Sequence, residues 1–239
     1  MFETPKILFE DNHLLVALKE PNLLVQGDST GDQDMLSLLK NYVKEKYNKP
    51  GEAYLGLVHR MDRPVGGLLC FAKTSKAAER LSRQIQDGRL KREYVAVVEG
   101  IAKETETLRD ILEKDSQTNM VRVVPSYLHR GKHAVLHYRC NAFKEGHSLV
   151  TIQLETGRAH QIRVQMAHAG LPLWGDMRYG AGVRGRRIAL WGMRLSLLHP
   201  ISGKQMVFLC APNSSGIWLN WRKELDGLQA IWPEISALQ

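Results

Sequence analysis

Three short stretches of this 239-residue chain carry residue types that could do chemistry. The densest is His59-Arg60-Met61-Asp62-Arg63-Pro64, set between the apolar runs LGLVH and GLLCFAK. It places one acid among His59, Arg60 and Arg63, and cationic neighbours favour the carboxylate form. An ionised Asp62 suits a nucleophile rather than a general acid. The same pattern also fits a salt-bridged turn, because Asp before Arg-Pro often does no more than organise a loop. The second stretch, Thr156-Gly-Arg-Ala-His-Gln-Ile-Arg163, is equally two-sided: a catalytic cluster, or the basic, exposed first turn of a helix. The third, His129, His133 and His137, has a spacing of four that would invite a metal on a helix. AVLHYRC is rich in strand formers, however, and four strand residues span about 13 Å, too far for one ion. No metal site is expected.

The string GAGVRG at 180–185 matches the dinucleotide fingerprint G-x-G-x-x-G in letters only. That fingerprint needs a strand before it, a helix after it and an acid about 20 residues on. Here a strand-like segment follows and position 205 is Gln, so a loop whose glycines and arginines contact phosphates is the better reading.

The elements that must hold these stretches are legible from periodicity. KILFE-DNH-LLVALKE reads as a hairpin around Asp11-Asn12-His13. Thr30 and Gln33 have capping-box spacing, and Met35, Leu36, Leu39, Tyr42, Val43 and Tyr47 recur at helical intervals up to Pro50-Gly51. Strands are expected at 55–59 and 67–73 around the HRMDRP turn, then a helix at 76–87 capped by Ser75 and stopped by Gly88. Further strands fall at 92–99, 134–140, 148–155, 188–198 and 205–210, with a short helix after Thr156-Gly157 that Gly170 and Pro172 end, and a helical tail at 217–225. The stretch 101–131 is polar and gives no clear pattern. Strands scattered among a few helices, without sustained βαβ alternation, imply a single α+β domain spanning 1–239 with a large, mostly antiparallel central sheet.

Composition narrows the class. With 44% hydrophobic and 24% charged residues the chain reads as an ordinary globular protein, not a fibrous or disordered one. No stretch approaches the roughly 18 to 20 apolar residues of a membrane span, and the start lacks a signal-peptide pattern, so a cytoplasmic protein with no membrane contact is expected. Three widely spaced cysteines, Cys70, Cys140 and Cys210, suggest neither a disulfide framework nor a zinc ribbon. The 33 Lys+Arg against 25 Asp+Glu leave a net charge of +8, concentrated in 80–92 and 178–187, as a polyanion-binding surface would require.

Taken together, HRMDRPVGGLLCFAKT (59–74), KREYVAVVEG (91–100) and TGRAHQIRVQMAHAGLPLWGDMRYG (156–180) resemble the three signature blocks of the RluA family of pseudouridine synthases, in the right order and spacing. Weaker matches extend the resemblance over 6–212, leaving 213–239 as a C-terminal tail. The resemblance implies the pseudouridine synthase fold, with flanking helices and loops and a basic active-site cleft. It also implies an isomerase that converts specific uridines of structured ribosomal or transfer RNA, with no cofactor. It makes Asp62 the essential aspartate, Tyr94 the tyrosine that stacks on the target base and takes its C5 proton, and Arg163 the basic residue that pairs with the aspartate. Arg60, Arg63, Arg158 and His160 would line the RNA groove, and the basic loop would add Arg178, Arg184, Arg186 and Arg187. The departures are Gly66 for the usual Ser, Met61 for Leu, Gln165 for a common His, and Trp191 where a His often stands. Because the pattern starts almost at the first residue, a stand-alone catalytic domain without a preceding RNA-binding domain is expected, acting as a monomer and choosing its target through its own loops.

Overall fold

The computed structural model of the chain describes residues 3–180, 182 and 186–237. In chain order its elements are β1 (Ile7–Glu10), β2 (Leu14–Lys19), α1 (Met35–Lys46), β3 (Gly56–Leu57), β4 (Gly66–Ala72), α2 (Ser75–Gln86), β5 (Lys91–Glu99), β6 (Thr105–Lys114), β7 (Val121–Val123), β8 (Lys132–Lys144), β9 (His147–Leu154), α3 (Gln161–His168), β10 (Leu190–Leu198), β11 (Gln205–Leu209) and α4 (Arg222–Ala237). The residues cluster into two compact units, one of 1–91 with 192–212 and one of 92–191 with 213–239.

In the first unit β1 pairs with β2, β2 with β4, β3 with β4, and β10 with β11, all antiparallel. Every residue of β2 and β4 is buried, so both faces of these strands are covered. Leu15, Ala17, Leu69 and Phe71 pack against Met35, Leu39 and Val43 of α1 and against Leu23, Val25, Ala53 and Leu55. That is the helical stripe read from the sequence, but its cap differs. Asp34, immediately before the first buried residue, accepts from the Ser37 N–H at 3.0 Å, while the Thr30 N–H is held by Asp28. Likewise Thr74, one residue before the expected Ser75, caps α2 through the Ala77 N–H.

In the second unit an antiparallel sheet runs in the order β5-β9-β8-β6-β7. β6 and β7 occupy the stretch that gave no sequence pattern. α3 sends Val164 onto Leu112, Val121 and Ala134 of this sheet, with Val123 and Tyr179 alongside. The architecture is α+β, as expected, with strands paired antiparallel inside both units. His133 and His137 are strand residues of β8. His137 bonds Thr107 at 2.8 Å and sits 3.2 Å from Glu155. No group of ligating side chains that could hold a metal occurs among the described residues.

Candidate active site

The HRMDRP segment enters β4 through a tight turn. The Val65 N–H bonds the Asp62 carbonyl at 3.0 Å, and Met61 packs into the first unit's core. The turn is anchored from below by Lys19, the last residue of β2. Lys19 is fully buried, and its Nζ donates to the carbonyls of Val65 at 2.6 Å, Arg63 at 2.9 Å and Glu20 at 3.1 Å. The Arg63 carbonyl also accepts the Asn22 N–H at 2.8 Å. Burial pushes the Lys19 pKa down to about 7, while the carboxylates of Asp62 and Glu20 pull it back up. Asp62 thus sits on a clamped turn, with the ammonium that clamps it inside its electrostatic reach.

The neighbours of Asp62 have separate tasks. His59 is buried and its Nε2 accepts the Cys70 N–H at 3.2 Å, which makes it part of the scaffold of β4. Arg63 turns outward to Asp32 at 2.7 Å and to the Asn22 carbonyl. Arg60 is exposed. Gly67 follows with φ +135°, and a Cβ there would lie 2.4 Å from the Gly192 nitrogen, so this strand admits only glycine at its closest approach to β10.

In the second unit Tyr94 lies on β5, 6% exposed and in register with Ile152. Arg163, near the start of α3, is 4% exposed. Its Nε and Nη2 grip the Asp176 carboxylate at 2.8 and 2.7 Å, a bidentate pair of the geometry a guanidinium favours. Asp176 is 1% exposed, and the N–H groups of Arg178 and Tyr179 bond the same carboxylate at 2.9 and 3.3 Å. Burial works against its charge, but the Arg163 fork and these N–H groups outweigh it and hold the carboxyl below the usual range. The Arg163 guanidinium also stands 5.2 Å from the centroid of the Tyr179 ring.

Tyr179 ties the second motif together. Its hydroxyl accepts the Val121 N–H at 2.9 Å and lies 2.7 Å from the Nδ1 of His160, to which it can give its own proton. His160 has φ 50° and opens α3. The preceding turn is fixed by the buried Gln161 side chain, whose Oε1 accepts from Thr156 Oγ1 and Arg158 N and whose Nε2 donates to the Val135 carbonyl.

The remaining candidates lie on the surface of this unit. Arg158 donates its Nε to the His133 carbonyl, Arg178 its Nη1 to the Asn119 carbonyl, and Arg186 stands over the Trp174 ring at 5.2 Å. Arg187 is exposed, and Arg184, with most of the GAGVRG string, lies outside the described residues. The 80–92 run is less available to a partner than its charge suggests. Arg83 and Arg89 pair with Glu79 and Asp87, and Arg80 donates to the Pro200 carbonyl. Sequence reasoning missed Lys19, Asp176, Tyr179 and Gln161 as functional supports. The last three fall inside the TGRAHQIR and GDMRYG blocks, so the sequence carried a signal for them.

A family model described as RNA pseudouridylate synthase matches residues 13–168. The chain is 36% identical over 215 residues to the ribosomal large subunit pseudouridine synthase D of Zymomonas mobilis, an alignment covering 85% of this chain and 68% of that relative. It is 36% identical over 221 residues to the protein of the same name in Nitrosomonas europaea, covering 85% and 60%. The chain therefore spans about two thirds of the length of these curated relatives. Among solved structures, human RNA pseudouridylate synthase domain containing 4 superposes with a TM-score of 0.73 at 18% identity, covering 92% of this chain and 93% of that one. Human RNA pseudouridylate synthase domain containing 1 gives 0.70 at 22%, covering 89% and 84%. These two likenesses concern the fold.

Proposed function

Because the chain belongs to the RNA pseudouridylate synthase family, we propose that it isomerises uridine to pseudouridine in large-subunit ribosomal RNA, with Asp62 as the essential group. The observation that carries the reading is the clamped turn: one buried lysine donates to the carbonyls of Arg63 and Val65, directly after Asp62 in the family's signature block. The names of the bacterial relatives favour ribosomal over transfer RNA. A structured-RNA partner also fits the +8 charge, and the reading extends to a monomer acting in the cytoplasm.

The reaction breaks the N1–C1′ bond, turns the uracil while it stays bound, and joins C5 to C1′. The C5 proton leaves and N1 ends protonated, so no atom or electron is gained or lost. The target base must first leave its stack, at a cost of a few kcal/mol, and an aromatic face returns about 1 to 3 kcal/mol. In this reading Tyr94 supplies that face and then takes the C5 proton. Asp62 acts on the sugar or the base, at C1′, C6 or C2′. The family resemblance gives Arg163 the part of basic partner to the aspartate, and Asp176 fixes the plane of the Arg163 guanidinium through Nε and Nη2.

The test is incubation of the purified protein with unmodified large-subunit ribosomal RNA, with pseudouridine mapped by carbodiimide adducts and primer extension. Conversion at discrete positions is the expected result. Conversion of transfer RNA alone would overturn the choice of substrate, and conversion of neither RNA would overturn the activity.

A further inference from the structure

Arg92 precedes Tyr94 by two residues on β5, so the two side chains leave the same face of the strand about 7 Å apart. It is half-buried. Its Nε is buried with no hydrogen-bond partner, and among the described residues no carboxylate pairs with it. Other arginines of this unit do have such partners: Arg122 and Arg130 share Glu113, and Arg163 has Asp176. The Arg92 guanidinium lies against Gly157, where an added Cβ would come within 2.9 Å of Nη1 and 3.3 Å of Nη2. That glycine sits in the turn that Gln161 holds rigid through Thr156 and Arg158. A cation is thus kept in place by packing, partly out of water, with no counter-charge among the described residues. Leaving a charged donor unmatched is costly unless an anion from outside completes it.

We propose that Arg92 binds the backbone phosphate of the nucleotide whose base stacks on Tyr94, so that a phosphate contact and a stacking face alternate along one strand. The proposal rests on the reading of Tyr94 given above. Its planar fork suits two phosphate oxygens at once. Gly157 is the matching half of the site, because its missing Cβ makes the room in which the guanidinium lies.

The test uses the full chain and the salt dependence of binding to a short, fluorescein-labelled oligouridylate, read by anisotropy for wild type, Arg92→Gln, Arg92→Lys and Gly157→Ala. Each phosphate neutralised on single-stranded nucleic acid contributes about 0.7 to the slope of log K against log salt. Arg92→Gln should flatten the slope by about 0.7 and weaken binding at low salt by about 10- to 100-fold. Arg92→Lys should keep the slope, and Gly157→Ala, which pushes the guanidinium aside, should fall between wild type and Arg92→Gln. A wild-type slope in Arg92→Gln would overturn the proposal. So would an Arg92→Lys protein as defective as Arg92→Gln with a lowered melting temperature, because that pattern marks a structural role. Isomerisation by wild type is measured in parallel on ribosomal RNA, and its absence would sink the activity while leaving the slopes to judge Arg92.

Discussion

Replacing Lys19 by Met should separate the clamp on the catalytic turn from ordinary core packing. In the folded protein Lys19 titrates near 7 because its ammonium is buried, against 10.5 for a free lysine. A base with a depressed folded pKa costs stability most where it must stay charged. Below about pH 7 both states are protonated and the cost is constant. Between about 7 and 10.5 the unfolded chain binds the proton more often than the folded one, so stability rises with pH. Integrating that difference from pH 7 to pH 9 gives a gain of about 2 kcal/mol, from 1.36 kcal/mol per proton per pH unit. Lys19→Met has no such titration. It also strips the donor from the Val65 carbonyl, worth about 1 to 3 kcal/mol when buried and unsatisfied, while the Glu20 and Arg63 carbonyls keep their bonds from the Leu23 and Asn22 N–H groups. Urea unfolding of both proteins at pH 7 and pH 9 should therefore show the gap between them widening by about 2 kcal/mol. At a temperature where Lys19→Met remains folded, pseudouridine formation should drop by about 100-fold, since a displacement near 1 Å can cost that much. A gap that stays constant with pH would mean that Lys19 never gives up its proton and acts as an ion-pair partner instead. Full activity in a folded Lys19→Met protein would refute the clamp.

Asp176→Asn removes one charge of a buried pair and should destabilise the fold by about 3 to 5 kcal/mol. Its kcat should fall more than its KM changes, and a variant with normal kcat would show that Arg163 needs no such support. Gly67→Ala forces a Cβ against the Gly192 backbone at φ +135° and should cost at least about 1 to 3 kcal/mol, read as a lowered thermal midpoint. An unchanged midpoint would mean the strands can part. The Glu10 carboxyl is buried, yet its bonds to Lys46, Lys73, Tyr42 and Tyr47 hold its pKa at about 2, against 4.5. A carboxylate with a depressed folded pKa stabilises above its unfolded value, so this contribution should be intact above about pH 4.5 and lost as pH falls toward 2. Glu10→Gln should flatten acid unfolding in that window, and an unaltered acid limb would contradict the network.

What the sequence disclosed follows from how each element is built. β2 and β4 are nearly continuous apolar runs, β5 holds one from Tyr94 to Val98, and α1 carries a clean stripe, so their existence was readable from the apolar pattern. β6 was hidden because the face that packs inward carries Glu106 and Asp110 beside Leu108 and Leu112, which breaks the alternation. Those acids are accommodated because Tyr138 donates to Glu106 at 2.8 Å and Gln165 to Asp110 at 2.7 Å. Such partners are known only once β8 and α3 are in place. The same holds for the site. Asp62, Tyr94 and Arg163 stand in recognisable blocks, but Lys19 closes an apolar run with nothing in its neighbourhood of sequence to signal burial. Its burial depends on the carbonyls of Arg63 and Val65, more than 40 residues away. The spacing of Thr30 and Gln33 misled for a local reason: Asp34 offers a carboxylate one residue before the first core position, and it captures the Ser37 N–H.

The central claim is that Asp62 carries the chemistry. Ribosomal RNA transcribed with tritium at C5 of uridine releases that label to water as C5 is joined to C1′. Wild type and Asp62→Asn are compared at equal, saturating occupancy of the RNA, established by binding in the same buffer. Release by wild type with none above background from Asp62→Asn is the predicted result. Release by Asp62→Asn at a rate comparable to wild type would contradict the account.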